Sequence, residues 1–101
     1  MNVSSEKALW DFARKHPDAA KPLAVWLRLV QHGRFQTLVE LKRTFGSVDM
    51  VPVKGHSFYV FNIGGNKYRL VTTIHFHAQN VFVRHILTHA EYSTDKWKNR
   101  Q

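Results

Sequence analysis

The sequence contains no cysteine, and this absence removes several classes of protein at once. Without thiols the chain has no disulfide scaffold, thiolate zinc site, iron–sulfur cluster or cysteine nucleophile. It also lacks an apolar run of the roughly 18 residues needed to cross a bilayer. Its first residues lack the basic region and apolar stretch of a signal peptide. We therefore expect a cytoplasmic protein with no membrane contact.

Acidic residues are also scarce: seven Asp and Glu stand against 15 Lys and Arg, a formal charge of +8. No carboxylate occurs between Asp49 and Glu91, a stretch that carries four Lys or Arg and five His. This stretch is either a solvated face that happens to lack acids or a surface on which phosphates bind. A carboxylate beside a bound phosphate would oppose the counterion release that drives such binding. The second interpretation predicts a polyanionic partner.

The first half of the chain has helical periodicity, and the full length of 101 residues fits a single domain, 1–101. Apolar residues recur at helical spacing within residues 8–13, 23–30 and 38–45. Asp18 and Thr37 are candidate N-caps of the second and third of these predicted helices. The spacing predicts that the apolar stripes belong to the core.

The second half reads as strands, because aromatic and β-branched residues dominate residues 58–61, 68–77 and 81–87. Residues 49–53 add a predicted edge strand, whereas residues 1–3 are too few to assign. Gly64 and Gly65 predict a two-residue hairpin turn, which would place Phe61 opposite Tyr68 and Val60 opposite Arg69.

The predicted fold is α+β, with N-terminal helices packed on one face of a three- to five-stranded antiparallel sheet and a short C-terminal helix or turn. Alternation places Arg69, His75 and His77 on the other, open face. A three-residue turn before the last strand would put Thr73 opposite His85 and Arg69 opposite His89, and a one-residue slip would reverse this. We expect the basic tail, residues 96–100, to fray.

Thr88 and Glu91 have the spacing of a capping box, which predicts a short helix where the last strand ends. This would bring His89 and Tyr92 to the rim of the sheet, near Arg69 on a neighbouring strand. RNA carries its own nucleophile, the 2′-hydroxyl, so its cleavage needs only a base, an acid and a cation for the developing charge. Histidine and arginine suit these tasks, and tyrosine stacks on bases or donates a proton. The structural alternatives are that His89 ties down the turn, Glu91 only caps and Tyr92 only packs.

His75 and His77 are two imidazoles on one predicted strand face, a spacing that suits a metal ion. No convincing third ligand accompanies them in register. We therefore expect no metal and no cofactor.

Two segments, FNIGGNKYRL at residues 61–70 and RHILTHAEY at residues 84–92, resemble the HigB toxins of bacterial type II toxin–antitoxin systems. The resemblance implies a RelE-like microbial ribonuclease fold and metal-independent cleavage of mRNA, typically on the translating ribosome. It also implies a neutralising antitoxin of the HigA type, which carries a helix-turn-helix and represses the shared operon. Carried over position by position, it points to seven residues: Asn62, Asn66, Arg69, Arg84, His89, Glu91 and Tyr92. Related sequences commonly have an acid after the tyrosine, where this chain has Ser93.

The leading hypothesis from the sequence is an endoribonuclease toxin in which Arg69 and Arg84 hold the scissile phosphate. His89 would be the acid or the base, and Tyr92 would stack or donate a proton. The predicted RNA contacts are Lys54, Asn62, Asn66, Lys67, His75, Lys96, Lys98 and the tail as far as Arg100, with Thr88 and Glu91 as the structural cap. The alternatives are a non-catalytic RNA- or ribosome-binding module and a domain whose basic face meets an acidic protein.

Overall fold

The computed structural model describes residues 1–99, in which a short first strand precedes three helices and the other four strands follow them. The helices are α1 (Lys7–Lys15), α2 (Ala20–His32), α3 (Leu38–Thr44) and α4 (His89–Ser93), with 3₁₀ turns at Pro17–Ala19 and Lys96–Asn99. The strands are β1 (Asn2–Ser4), β2 (Asp49–Val53), β3 (His56–Ile63), β4 (Tyr68–His75) and β5 (Asn80–Thr88). Within the described part of the chain, no helix is long and apolar enough to cross a membrane.

The main core lies between the N-terminal helices and one face of the sheet. Leu23, Trp26, Leu27 and Val30, the predicted stripe of α2, are all buried. The Trp26 ring meets the Phe61 ring of β3 edge-on, with 5.4 Å between centroids. Helix α3 begins at the predicted Thr37 cap, whose side chain accepts a hydrogen bond from the Glu40 amide.

The sheet has five strands in the order β1-β5-β4-β3-β2. Three neighbouring pairs are antiparallel, but β1 lies parallel to β5, with Val3 opposite Val81. The α+β class and the short C-terminal helix are confirmed, and the arrangement is consistent with a RelE-like fold. The prediction of a purely antiparallel sheet was wrong at its edge, because the pairing of three residues with a distant strand leaves no local sequence signal.

The β3–β4 hairpin has a longer turn than its two glycines suggest. Phe61 lies opposite Leu70 and Asn62 opposite Arg69, so the predicted pairings of Phe61 with Tyr68 and of Val60 with Arg69 were wrong. Gly64 and Gly65 both adopt positive φ, as expected, but the turn extends to Lys67. The shift is by two residues, so every side chain keeps its predicted face.

The register between β4 and β5 changes partway along the pair. Thr72 lies opposite Val83 but Val71 lies opposite His85, so Arg84 is the extra residue of a β-bulge. Thr73 therefore faces Phe82 rather than His85, and Arg69 faces Leu87 rather than His89. The strand also ends at His75, two residues earlier than predicted.

The sheet face away from the helices is not fully open. A second apolar cluster forms there from Val53, Phe58, Val60, Val71 and Trp97. Trp97 comes from the tail that we expected to fray, yet it is only 2% exposed. It supplies the cover that the alternating apolar residues of β3 and β4 require, so that expectation was wrong for residues 96–99. The remaining residue of the predicted tail, Arg100, lies outside the described residues.

Candidate nucleic-acid interface

The capping box at the end of β5 is formed as predicted. The Thr88 side chain accepts from the Glu91 amide, and Glu91 Oε1 accepts from the Thr88 amide at 2.9 Å. The Glu91 carboxylate is therefore engaged in starting α4. The His89 amide donates to the Lys67 carbonyl at 2.9 Å, which ties the start of α4 to the β3–β4 turn. These contacts place His89 directly beside the hairpin that carries Arg69.

The Arg69 side chain is 9% exposed and is held by neutral acceptors. Nη1 donates to the main-chain oxygens of Asn66 and Tyr68, both at 3.2 Å. Nη2 makes a short hydrogen bond to Asn66 Oδ1 and lies 2.9 Å from His89 Nδ1. Within residues 1–99 no carboxylate forms an ion pair with it. The guanidinium is therefore oriented, and its positive charge is not neutralised by these acceptors.

The contact between Arg69 and His89 also defines the state of the imidazole. A guanidinium only donates hydrogen bonds, so His89 Nδ1 must accept, and the ring proton of the neutral form is then on Nε2. His89 is exposed. It thus offers an Nε2–H donor to a ligand that lies beside the Arg69 charge.

Tyr92 contacts Arg69 with its ring. The guanidinium carbon lies 5.8 Å from the ring centroid, within cation–π range. The ring also stacks on Trp97, with 5.5 Å between centroids and 16° between planes. Burial raises the pKa of the Tyr92 phenol, the negative charge of Asp49 adds to this, and the positive charge of Arg69 opposes it. The phenol is therefore protonated at neutral pH and can act as a donor.

The two predicted asparagines occupy different positions around Arg69. Asn62 is exposed directly opposite Arg69 in the β3–β4 ladder. Asn66 lies in the turn and holds the guanidinium through its side chain and its carbonyl. The structure thus gives Asn66 a positioning contact, whereas Asn62 is free to meet a ligand on the same side of the turn.

Lys67 is engaged with the helix layer. Its Nζ lies 3.0 Å from Asp18 Oδ2, in an ion pair whose two side chains are both largely exposed. The Tyr68 hydroxyl donates to the other oxygen of Asp18, and these two hydrogen bonds lower the pKa of the Asp18 carboxyl. Asp18 therefore links the helices to the hairpin, and the expectation that it caps α2 was wrong, because the N-cap is Ala19.

The tail lysines lie beside Trp97. Lys98 Nζ is 3.3 Å from Asp95 Oδ1 and 5.8 Å from the centroid of the Trp97 ring. Lys96 is exposed and lines a shallow cavity with Leu87 and Thr94. Of the two, Lys96 has no ion pair within the described residues.

The remaining predicted basic residues form a second group at the opposite end of the sheet. Arg84 donates from Nε to Thr73 Oγ1 at 2.9 Å. His75 follows on β4, and Lys54 stands in the β2–β3 turn. Thr73 is four residues beyond Arg69 on β4, a separation of about 13 Å along an extended strand. The contact that Arg84 makes is therefore separate from those that Arg69 makes with Asn66 and His89.

The prediction that His75 and His77 share one strand face was wrong, because His77 lies in the turn after β4. Across residues 1–99 the structure contains no group of three or more His, Asp or Glu side chains arranged to hold an ion.

Sequence reasoning missed Trp97, which stacks on Tyr92 and covers the sheet beneath the Arg69 site. The available signal was a lone aromatic residue in a basic tail, opposite a strand face that alternation makes apolar. It also missed the bulge at Arg84.

The sheet face is poor in carboxylates, orients Arg69 against His89 and carries further basic side chains. These features define a small domain suited to binding or cleaving RNA. The family model described as "HigB_toxin, RelE-like toxic component of a toxin-antitoxin system" matches residues 19–95. The chain therefore belongs to the HigB toxin family.

Curated relatives agree with this assignment. The "mRNA interferase toxin HigB" of Escherichia coli K12 and the "mRNA interferase HigB" of Shigella flexneri are each 35% identical over 92 residues. The matched region covers 91% of this chain and 88% of each relative. The "mRNA interferase HigB" of Escherichia coli O6:H1 is 33% identical over the same length.

Proposed function

We propose that this chain is, as a single domain of residues 1–101, the toxin of a type II toxin–antitoxin system and cleaves mRNA as a metal-independent endoribonuclease. The observation that carries the proposal is the contact of Arg69 with His89 Nδ1 at 2.9 Å, at a site where no carboxylate among residues 1–99 neutralises the guanidinium. The family membership and the names of the relatives support the same activity.

In the proposed reaction the RNA 2′-oxygen attacks the adjacent phosphorus and the bond from phosphorus to the 5′-oxygen breaks. The products are a 2′,3′-cyclic phosphate and a 5′-hydroxyl. Arg69 stabilises the negative charge that develops on the phosphate oxygens. His89 takes part in proton transfer, because imidazole both accepts and donates protons near neutral pH. Tyr92 holds Arg69 from one side, and its protonated phenol is a further donor.

The partners we propose follow from the family. The substrate is mRNA, which the toxin would meet on the translating ribosome in the cytoplasm. A cognate helix-turn-helix antitoxin of the HigA type would neutralise it. Lys54 and Lys96 are exposed, form no ion pair within residues 1–99 and supply contacts to backbone phosphates, whereas Lys67 would first have to leave Asp18.

The test is induced expression in a bacterial host, with growth and mRNA integrity followed together. The wild type should arrest growth and yield mRNA fragments with 5′-hydroxyl ends. His89→Gln and Arg69→Lys should each lower the rate of mRNA cleavage about 10²-fold, the effect of removing one transition-state donor, and should thereby relieve the growth arrest. Arg43→Ala, which removes an exposed cation from α3, is the matched control and should remain toxic.

A non-catalytic RNA- or ribosome-binding module is the second candidate, favoured by the basic group around Arg84 that lies away from His89. It predicts growth arrest with intact mRNA and an undiminished effect in His89→Gln. Intact mRNA in arrested cells would therefore reject the enzyme and retain the binding module.

A further inference from the structure

The β3–β4 ladder opens into a fork before either strand ends. Backbone pairing runs from Ile63 with Tyr68 to Tyr59 with Thr72 and stops there. Yet β3 begins three residues before Tyr59, and β4 continues for three residues after Thr72. At the fork the hydroxyl of Thr72, a fully buried residue, donates to the Tyr59 carbonyl at 2.8 Å. A side chain thus satisfies a buried carbonyl at the point where the ladder stops.

A solvent-open cleft of about 430 Å³ lies at the fork, with a volume in the range of small-ligand sites. His56, Ser57 and Tyr59 line it on one side, and Thr73, His75 and Arg84 line it on the other. In the described chain His56–Ser57 pairs only with β2 and Thr73–His75 only with β5, so the main-chain edges that these two segments turn toward the gap are not paired with each other. The cleft therefore combines polar main-chain groups with side chains that carry positive charge or donate hydrogen bonds.

Arg84 is oriented at the cleft by a β-bulge and two side-chain contacts. The β-bulge releases it from the regular alternation of β5. Its Nε donates to Thr73 Oγ1, and its guanidinium carbon lies 5.1 Å from the centroid of the Phe82 ring. The His75 ring packs edge-on against the same Phe82 ring at 5.3 Å. The two terminal nitrogens of the guanidinium are left for a ligand, because neither appears in a hydrogen bond or ion pair within residues 1–99.

The charge around the cleft has one sign. Lys54 stands at the adjacent turn in a left-handed conformation, with φ of 51°, and is exposed. Neither Lys54 nor Arg84 is in an ion pair in the described part of the chain. The sequence has no carboxylate from residue 50 to residue 90, so the lining contains none. An oriented guanidinium between imidazoles fits an oxyanion with two accessible oxygens, such as a phosphodiester.

We propose that the fork cleft binds a second phosphodiester of the RNA strand, with Arg84 as its main contact and His56, His75 and Lys54 around it. The cleft lies about 13 Å along β4 from Arg69. A phosphate bound there is therefore a different one from the phosphate at Arg69 and lies farther along the RNA strand. The proposal rests on the proposed function only in taking RNA as the ligand. The cleft fixes the path of the RNA strand across the sheet and thereby determines which phosphate of the RNA lies at Arg69.

The experiment measures binding of an RNA oligonucleotide that carries a 2′-deoxy sugar at the cleaved position, so that it binds without reacting. A series of such oligonucleotides has one phosphate at a time replaced by an uncharged methylphosphonate. In the wild type we expect affinity to fall about tenfold at the phosphate held by Arg84, as for loss of a charged hydrogen bond. In Arg84→Ala the same replacement should have no further effect, while replacements near Arg69 should keep theirs.

Three further variants make the assignment specific. Thr73→Val keeps the strand but removes the hydroxyl that orients Arg84, and it should reduce the effect of the same methylphosphonate. His75→Ala should reduce it as well. Arg43→Ala on α3 should leave the whole pattern unchanged. Arg84→Ala should also lower the salt dependence of binding by about 0.7 in logarithmic slope, the value for one phosphate of a single strand.

The two proposals fail in different ways. If the wild type cleaves unmodified RNA but no methylphosphonate effect disappears in Arg84→Ala, the cleft proposal is overturned and the nuclease remains. If the effect disappears but RNA is never cut, the cleft proposal holds and the nuclease is rejected. A wild type that shows no measurable binding to any oligonucleotide also overturns the cleft proposal.

Discussion

The Arg69 guanidinium is held by four neutral acceptors, which are two carbonyls, the Asn66 amide oxygen and His89 Nδ1. Neutral acceptors orient a cation without cancelling its charge, as an acidic partner would. The same contacts hold the imidazole in a single tautomer. The Arg69 guanidinium and the His89 imidazole are therefore oriented before RNA binds, and such preorganisation is the condition for strong electrostatic stabilisation of a transition state.

Arg69→Lys tests whether the orientation of the charge matters, because it keeps the positive charge and removes the planar guanidinium. An ammonium group has three donors and no planar geometry, so it cannot hold Asn66 and His89 in the same way. We expect Arg69→Lys to lower the single-turnover cleavage rate about 10²-fold. RNA affinity should fall much less, and binding is measured in parallel on the uncleavable oligonucleotide. Arg43→Lys is the control, and equal losses of rate and affinity in Arg69→Lys would contradict the assignment.

Helix α4 is short, and its start depends on one capping box. Thr88 and Glu91 satisfy each other's amides and so fix the residues between them, including His89. Tyr92 follows one residue after the box and packs against Arg69 and Trp97. Loss of the cap should therefore disturb the chemistry more than the stability of the protein.

Thr88→Ala removes the cap and should cost about 1 kcal/mol in the free energy of unfolding. The loss in cleavage rate, expressed as a free energy, should be larger than this loss of stability, because His89 and Tyr92 lose their common support. Thr88→Ser restores the hydroxyl and is expected to recover both values. Chemical denaturation and single-turnover cleavage give the two measurements. An inactive Thr88→Ser would indicate that the methyl group, and not the cap, is required.

Local sequence patterns were sufficient to predict most of the helices and strands. The α2 stripe, the Thr37 cap and the capping box each depend on residues within one or two turns, so the sequence contains the whole cause. The registers depend on turn length and on the bulge at Arg84, which are decided by packing across the sheet. For the same reason the sequence placed Arg69 and His89 near each other but put Arg84 with them, and it did not reveal Trp97 as a cover.

At the scale of the whole protein, Asp18 is one of the residues that join the helices to the β3–β4 hairpin. It receives the Tyr68 hydroxyl and pairs with Lys67, both from the segment that leads into Arg69. These interactions lower the pKa of Asp18 below its ordinary value of 3.8, because they favour the charged carboxylate of the folded state. The stabilisation is then present above that value and is lost as the pH falls below it toward the lowered pKa.

Asp18→Asn separates this contribution from other acid effects. The amide keeps an acceptor for Tyr68 but has no charge to titrate. We expect the wild type to have the larger free energy of unfolding at neutral pH, and the difference to shrink as the pH falls below about 3.8. Urea denaturation between pH 2 and 7 measures it. A difference that stays constant across this range would assign the effect to geometry alone.

The bulge at Arg84 has a consequence for how the sheet tolerates a change of chain length. On either side of it β5 pairs with β4 in a regular ladder, with Thr72 opposite Val83 and Val71 opposite His85. Removal of residue 84 would join these two ladders into one continuous register, with every other pair retained. The arginine is thus carried on a single-residue insertion, which a related chain can gain or lose in one genetic step without rebuilding the sheet.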